Sequence, residues 1–254
     1  MMTIISLLVL ASLLPHLNFT AHVDVGIVNG RKAKPHSRPY MVSIQVNNYH
    51  VCGGFLISDE FVLTAAHCRK TNEILTAVVG AHNLKNVNEG SVHIGVKSYH
   101  KHPDYCCDTY RNDIMLLRLE KKVEQNKNVK IISIPTQEED IKADSACSVA
   151  GWGSLQTNGS ASDRLMETKV FIMDNTECKI RWGEIYKVPK MMCTYGIGGF
   201  CTGDSGGPLV CGDTAVGVVS FSLLYRCNSP MYPNVYTKIS PYLEWIHKII
   251  KNVK

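Results

Sequence analysis

Apolar residues in this chain come in short runs. Residues 41–46, 50–57, 61–66, 76–79, 93–98 and 114–119 are rich in β-branched or apolar side chains, and polar turns with Gly and Asn separate them. That pattern predicts strands. After Pro135 and a charged stretch, residues 147–150, 168–173, 191–194, 208–211, 215–223 and 234–239 repeat it. Many short strands at this spacing predict an all-β fold, as barrels or a sandwich. Only residues 241–252 read as a helix, with Leu243, Ile246, Ile249 and Ile250 on one face, which is the pattern of a packing helix. Residues 4–14 form an almost unbroken apolar run, followed by Pro15 and the small Ala21. This reads as the core of a secretory signal peptide over residues 1–21, too short for a lasting membrane anchor.

Composition narrows the picture. With 254 residues, 45% of them hydrophobic, the chain can bury the cores of one or two compact domains. Ten cysteines in an exported chain point to an oxidising compartment and a disulfide framework. No CxxC pair or His-x-x-x-His pattern stands out, which argues against a structural zinc, and no metal or other cofactor is expected. The formal charge is +5, and residues 1–26, with Asp24 and no Lys or Arg, lower it by one. Lys121, Lys122, Lys127 and Lys130 cluster, as do Lys248, Lys251 and Lys254. These groups suit an acidic polysaccharide, whereas no aromatic or Gly-rich pattern suggests nucleic acid.

The candidate chemistry centres on residues 203–208, Gly-Asp-Ser-Gly-Gly-Pro. A serine hydroxyl is a poor nucleophile at neutral pH and needs a base oriented by a third group. Glycines let the backbone approach a substrate, and the N–H groups of Gly203 and Ser205 can converge on an oxyanion. The partners are present. Thr64-Ala65-Ala66-His67-Cys68 ends one apolar run, and Arg111-Asn112-Asp113 begins another. Three such residues in the order His67, Asp113, Ser205, each with its flanks, point to nucleophilic acyl transfer rather than to a surface turn.

The stretches Ile27-Val28-Asn29-Gly30, residues 34–41 (KPHSRPYM), residues 52–57 (CGGFLI) and residues 80–83 (GAHN) resemble the chymotrypsin-family serine proteases of blood-cell granules: granzymes, mast-cell chymases and cathepsin G. The resemblance covers residues 27–250. It implies two antiparallel six-stranded Greek-key barrels, about 27–133 and 134–240, with the helix 241–252 behind them and the site in the cleft between. It also implies a propeptide of residues 22–26. In that family the freed ammonium of the residue matching Ile27 pairs with the one matching Asp204, and His36 resembles the residue that holds this Asp in the precursor. Gly26 is not Lys or Arg, so trimming by a dipeptidyl peptidase is expected instead of a tryptic cut. The resemblance implies the pairs Cys52–Cys68, Cys147–Cys211, Cys178–Cys193 and Cys201–Cys227. Cys106 and Cys107 are left over, and three readings stand: a bridge to a second chain giving a homodimer, a vicinal disulfide, or free thiols. Asn158-Gly159-Ser160 is a glycosylation acceptor; Asn18-Phe19-Thr20 also matches but falls in or near the signal segment.

Pocket positions depart from well-known members. The residue six before Ser205 is Gly199, so no carboxylate is available there to select Lys or Arg. Phe200 is bulky, and Ser222 and Asn234 stand where wide pockets have Gly. Ser220 matches a position beside the site that supports the triad Asp. The expectation is a neutral, restricted pocket for small or medium uncharged side chains. The alternative is a polar pocket in which Asn234 hydrogen-bonds the substrate. The expected function is a secreted or granule-stored serine endopeptidase acting on proteins. One rival is an inactive relative, plugged by Phe200, that binds microbial surfaces or polysaccharide; another is a digestive or tissue protease.

Overall fold

A computed structural model describes residues 27–224, 226–227 and 229–252. The expected signal peptide (residues 1–21), the expected propeptide (residues 22–26) and Asn18 lie outside the described residues. Among the described residues, no helix is long and apolar enough to cross a membrane.

The first strand among the described residues is short, β1 (Arg31–Lys32). Six strands follow: β2 (Met41–Val46), β3 (Tyr49–Leu56), β4 (Phe61–Thr64), β5 (Thr76–Val79), β6 (Val92–Lys101) and β7 (Met115–Leu119). They close into an antiparallel barrel in the order β2-β3-β4-β7-β6-β5. Val42, Ile44, Phe55, Leu63, Ile94 and Leu117 fill its centre, each no more than 2% exposed. Burying each such side chain stabilises the fold by about 1.5–3 kcal/mol.

The second half repeats the design with β8 (Ala146–Gly151), β9 (Met166–Ile172), β10 (Met191–Tyr195), β11 (Pro208–Cys211), β12 (Thr214–Phe221) and β13 (Asn234–Lys238). The order β9-β10-β13-β12-β11-β8 closes because β8 also pairs with β9 along its whole length. Cys147 and Cys211 face each other on β8 and β11 and are bridged.

Among the described residues, two α-helices complete the fold. α1 (Asn175–Trp182) was not foreseen from the apolar pattern, because its buried face is little more than Cys178. Its signal was Asp174 followed by Glu177: the Asp174 carboxylate accepts from the N–H groups of Thr176 and Glu177 and caps the first turn. The Cys178–Cys193 bridge ties this helix to β10. α2 (Leu243–Asn252) is the predicted C-terminal helix, preceded by a 3-10 turn over Ser240–Tyr242.

The two ends of the chain cross the expected boundary. β1 adds to β9 through Arg31↔Glu167 and Lys32↔Met166, and Ile27 is fully buried in the core of the second barrel. At the other end, Tyr242, Leu243 and Ile246 pack into the core of the first.

Candidate active site

Three local backbone features bring the chemistry to one cleft. β4 stops at Thr64, and a single 3-10 turn (Ala66–Cys68) presents a half-exposed His67 while Cys68 stays buried and bridged to Cys52 on β3. Closing that short loop in the unfolded chain restricts it, an effect of about 3 kcal/mol. Both sulfurs beside His67 are consumed by the bridge, so the Cys52, His67 and Cys68 cluster offers no thiolate pair to a metal.

Asp113 sits just before β7 and is completely buried. Its carboxylate accepts three hydrogen bonds: Oδ1 from the His67 backbone N–H at 3.0 Å, Oδ2 from His67 Nδ1 at 2.8 Å, and Oδ2 from Ser220 Oγ at 2.5 Å. A buried carboxylate needs such partners, since the charge alone would be costly. The bond from Nδ1 also places the remaining lone pair of a neutral His67 on Nε2.

Ser205 lies on a turn that only glycine permits at two points. Gly203 has φ +98° and Gly206 φ +80°, and a Cβ on Gly206 would stand 2.1 Å from Thr64 Oγ1. The turn is stitched to the first barrel by Gly53 N–H donating to the Ser205 carbonyl at 2.7 Å. Among the described residues, the N–H groups of Gly203 and Ser205 donate to no protein acceptor, while those of Asp204, Gly206 and Gly207 are all used. His67 and Ser205 line the same cleft of 380 Å³. No hydrogen bond joins the two side chains; catalytic bonds of this kind often tighten only in the complex with substrate.

The structure adds residues that the sequence reading missed. His50, on β3, bonds through Nε2 to the Gly203 carbonyl at 2.9 Å and through Nδ1 to Ser43 Oγ at 2.8 Å. A carbonyl only accepts, so Nε2 carries the proton and Nδ1 accepts from Ser43. Burial pushes the His50 imidazole down to about 4, so it is neutral at physiological pH. Tyr110 stands edge-on to the His67 ring at 5.6 Å, and Phe221 contacts Tyr110 and Trp182, forming an aromatic wall. The signal for Tyr110 and Phe221 was adjacency: Tyr110 lies three residues before Asp113, and Phe221 directly follows Ser220.

Other expected site residues fall elsewhere. His36 is not brought to Asp204; its ring lies 6.4 Å from that of His82. The Asp204 carboxylate instead accepts from the N–H groups of Gly153 and Cys201. Burial pushes this carboxyl up to about 7. Ile27 packs with Phe200, and Val28 pairs with Gly199 and packs on Cys201, so the start of the described chain underlies the segment that leads to Asp204. Phe200, Ser220 and Ser222 line the cleft. Gly199 and Asn234 do not: Asn234 Oδ1 occupies the space where a Cβ on Gly199 would go, and its Nδ2 donates to the Cys227 carbonyl. Phe200 is 3% exposed, with its ring edge-on to Tyr236. Cys201 and Cys227 are bridged behind it.

The trypsin family model matches residues 27–246, which includes both barrels and every residue of this cleft. The chain belongs to the trypsin family. It is 41% identical to granzyme E of Mus musculus over 233 residues, covering 89% of this chain and 91% of that one. It is 37% identical to granzyme B(G,H) of Mus musculus over 235 residues, 89% and 92% of the two chains. Against cathepsin G of Homo sapiens the identity is 36% over 257 residues, 98% and 95%. This trypsin-family chain is a serine endopeptidase of the granzyme and chymotrypsin-like group.

Proposed function

We propose that the chain is a granule-stored or secreted protease in which His67, Asp113 and Ser205 form the catalytic triad. The observation that carries this reading is the buried Asp113 carboxylate gripping His67 by two N–H groups, with Ser205 in the same cleft. His67 Nε2 takes the Ser205 proton as Oγ attacks the peptide carbonyl, and Asp113 stabilises the imidazolium that forms. The unused N–H groups of Gly203 and Ser205 hold the oxyanion, each worth about 3 kcal/mol of barrier. His67 then protonates the leaving amine, and water releases the acyl group by the same steps reversed.

The pocket reading follows from its inner end. Phe200 lines the cleft, and Asn234 lies outside it against Gly199 with its Nδ2 already engaged, which favours a neutral, restricted pocket over one in which Asn234 meets the substrate. Residues 1–21 are read as the signal peptide and 22–26 as the propeptide, with the peptidase domain over 27–250. Asn158 is exposed, as a glycosylation acceptor must be. Lys121, Lys127, Lys130, Lys248 and Lys251 are exposed and suit a granule proteoglycan; retention on a sulfated polysaccharide column, lost at moderate salt, would support that role. Cys106 and Cys107 are unpaired and Cys107 is exposed, which supports the reading of a bridge to a second copy.

The test uses the chain beginning at Ile27. A fluorophosphonate is expected to label it and not the Ser205→Ala form. The labelled material, run without reductant, reports the second-copy bridge as a band of twice the mass. The same enzyme, given a peptide library, is expected to cleave after small or medium uncharged residues. Cleavage dominated by Lys or Arg would overturn the pocket reading, and labelling that survives Ser205→Ala would overturn the triad.

A further inference from the structure

Lys190 lies at the end of the turn before β10, outside the cleft lining. Its backbone is fixed on both sides: its N–H donates to the Lys187 carbonyl at 2.9 Å, and its carbonyl accepts from Lys238 N–H at 3.0 Å. Its ammonium makes no ion pair among the described residues. Instead, Nζ crosses to the first barrel and donates to Asn112 Oδ1 at 2.8 Å, while lying 5.4 Å from the centre of the Tyr242 ring. Tyr242 OH donates to the same Oδ1 at 3.1 Å, and Asn112 Nδ2 donates to the Asp104 carbonyl at 2.8 Å. The amide is therefore held at both its oxygen and its nitrogen.

Asn112 immediately precedes Asp113 and holds a left-handed backbone, φ +54°. Asparagine adopts such a backbone more readily than most residues, and the bonds to its amide hold this one in place. The Asp113 carbonyl accepts from Thr237 Oγ1 at 3.0 Å, and its carboxylate from Ser220 Oγ. Ser220, Thr237, Tyr242 and Lys190 all belong to the second half of the chain, and Asp113 to the first. Lys190 is the one charged member of this set, and a hydrogen bond from an ammonium is stronger than one from a neutral donor.

We propose that Lys190 is a positioning residue for the reaction: by locking the Asn112 amide across the barrel interface, it fixes the orientation of Asp113 and, through it, of His67. This rests on Asp113 being the triad acid. Lys190 touches neither substrate nor His67, so its effect is on turnover and not on binding.

The trimmed enzyme carrying Lys190→Met is expected to show kcat lower by about tenfold with KM changed less than about twofold, since small misplacements of catalytic groups are costly. Lys190→Arg, which keeps a cationic donor, is expected to restore kcat to within about threefold of the parent. In an Asn112→Ala background, the further loss from Lys190→Met should vanish, because the shared partner is gone. The Nδ1 proton resonance of His67 should shift or broaden in Lys190→Met and return in Lys190→Arg. Should Lys190→Met fold poorly, Lys190→Gln keeps a neutral donor and should fall between the two. An unchanged kcat in Lys190→Met or Lys190→Gln, or a loss equally large without Asn112, overturns the proposal. Asp113→Asn, measured in parallel, separates the two claims: if it is active, the triad reading fails, and if it is inactive while Lys190→Met matches the parent, only the role of Lys190 fails.

Discussion

Asp113→Asn is expected to lower kcat by about ten-thousandfold while leaving the fold intact. The reason lies in the number of donors around the group. Oδ1 faces the His67 backbone N–H, which can only donate, and Oδ2 faces His67 Nδ1 and Ser220 Oγ. An asparagine that keeps its oxygen on the backbone N–H turns its NH2 toward Nδ1. Nδ1 must then accept, the imidazole proton moves to Nε2, and the base has no lone pair for Ser205. Turned the other way, the amide sets NH2 against a backbone N–H. Either choice also removes the negative charge that stabilises the imidazolium. Burst kinetics with an activated ester would measure the acylation step, and thermal melting would show that the protein is folded. An Asp113→Asn enzyme within about tenfold of the parent would mean that His67 is oriented by something else.

Removing residues 1–26 should matter almost as much. Asp204 is completely buried, and among the described residues the partners of its charge are two backbone N–H groups. While Ile27 remains in a peptide bond, no ammonium exists to neutralise that charge. A buried ion pair broken by loss of one partner costs about 3–5 kcal/mol, so the chain still carrying Gly26 is expected to be less active by about two to four orders of magnitude. A pH signature accompanies this. In the untrimmed chain Asp204 is raised to about 7, so the folded state binds the proton that the unfolded state has lost, and stability falls as pH rises from the ordinary carboxylate range to about 7. His50 acts oppositely: lowered to about 4 by burial, it favours folding increasingly as pH rises from about 4 to its ordinary 6.5. The two slopes oppose each other before trimming. Afterwards the ammonium lowers Asp204, its slope is lost, and melting temperature should climb more steeply between pH 4 and 7. Equal profiles for the two forms would rule out the pairing of Ile27 with Asp204.

The strands were legible because their apolar runs are short and punctuated. The candidate site was legible because His67, Asp113 and Ser205 each sit inside a distinctive contiguous motif. What escaped depends on relations between distant segments. His50 meets Ser43 only because β2 and β3 pair with a register shift between Ile44 and Gln45, which no local pattern announces. Asn234 was expected to narrow the pocket, or in the alternative to hydrogen-bond the substrate, but its Nδ2 is engaged by the Cys227 carbonyl, a partner fixed by the loop between β12 and β13. α1 escaped because a surface helix pinned by a disulfide needs little apolar surface.

The way the chain ends are exchanged has a mechanical consequence. Residues 27–32 are fastened to the later barrel and the final helix to the earlier one, so each half is strapped by a piece of the other's sequence. A nick in the exposed connector around residues 136–140 would leave two fragments still laced together, and heat should melt the molecule in one step rather than lobe by lobe.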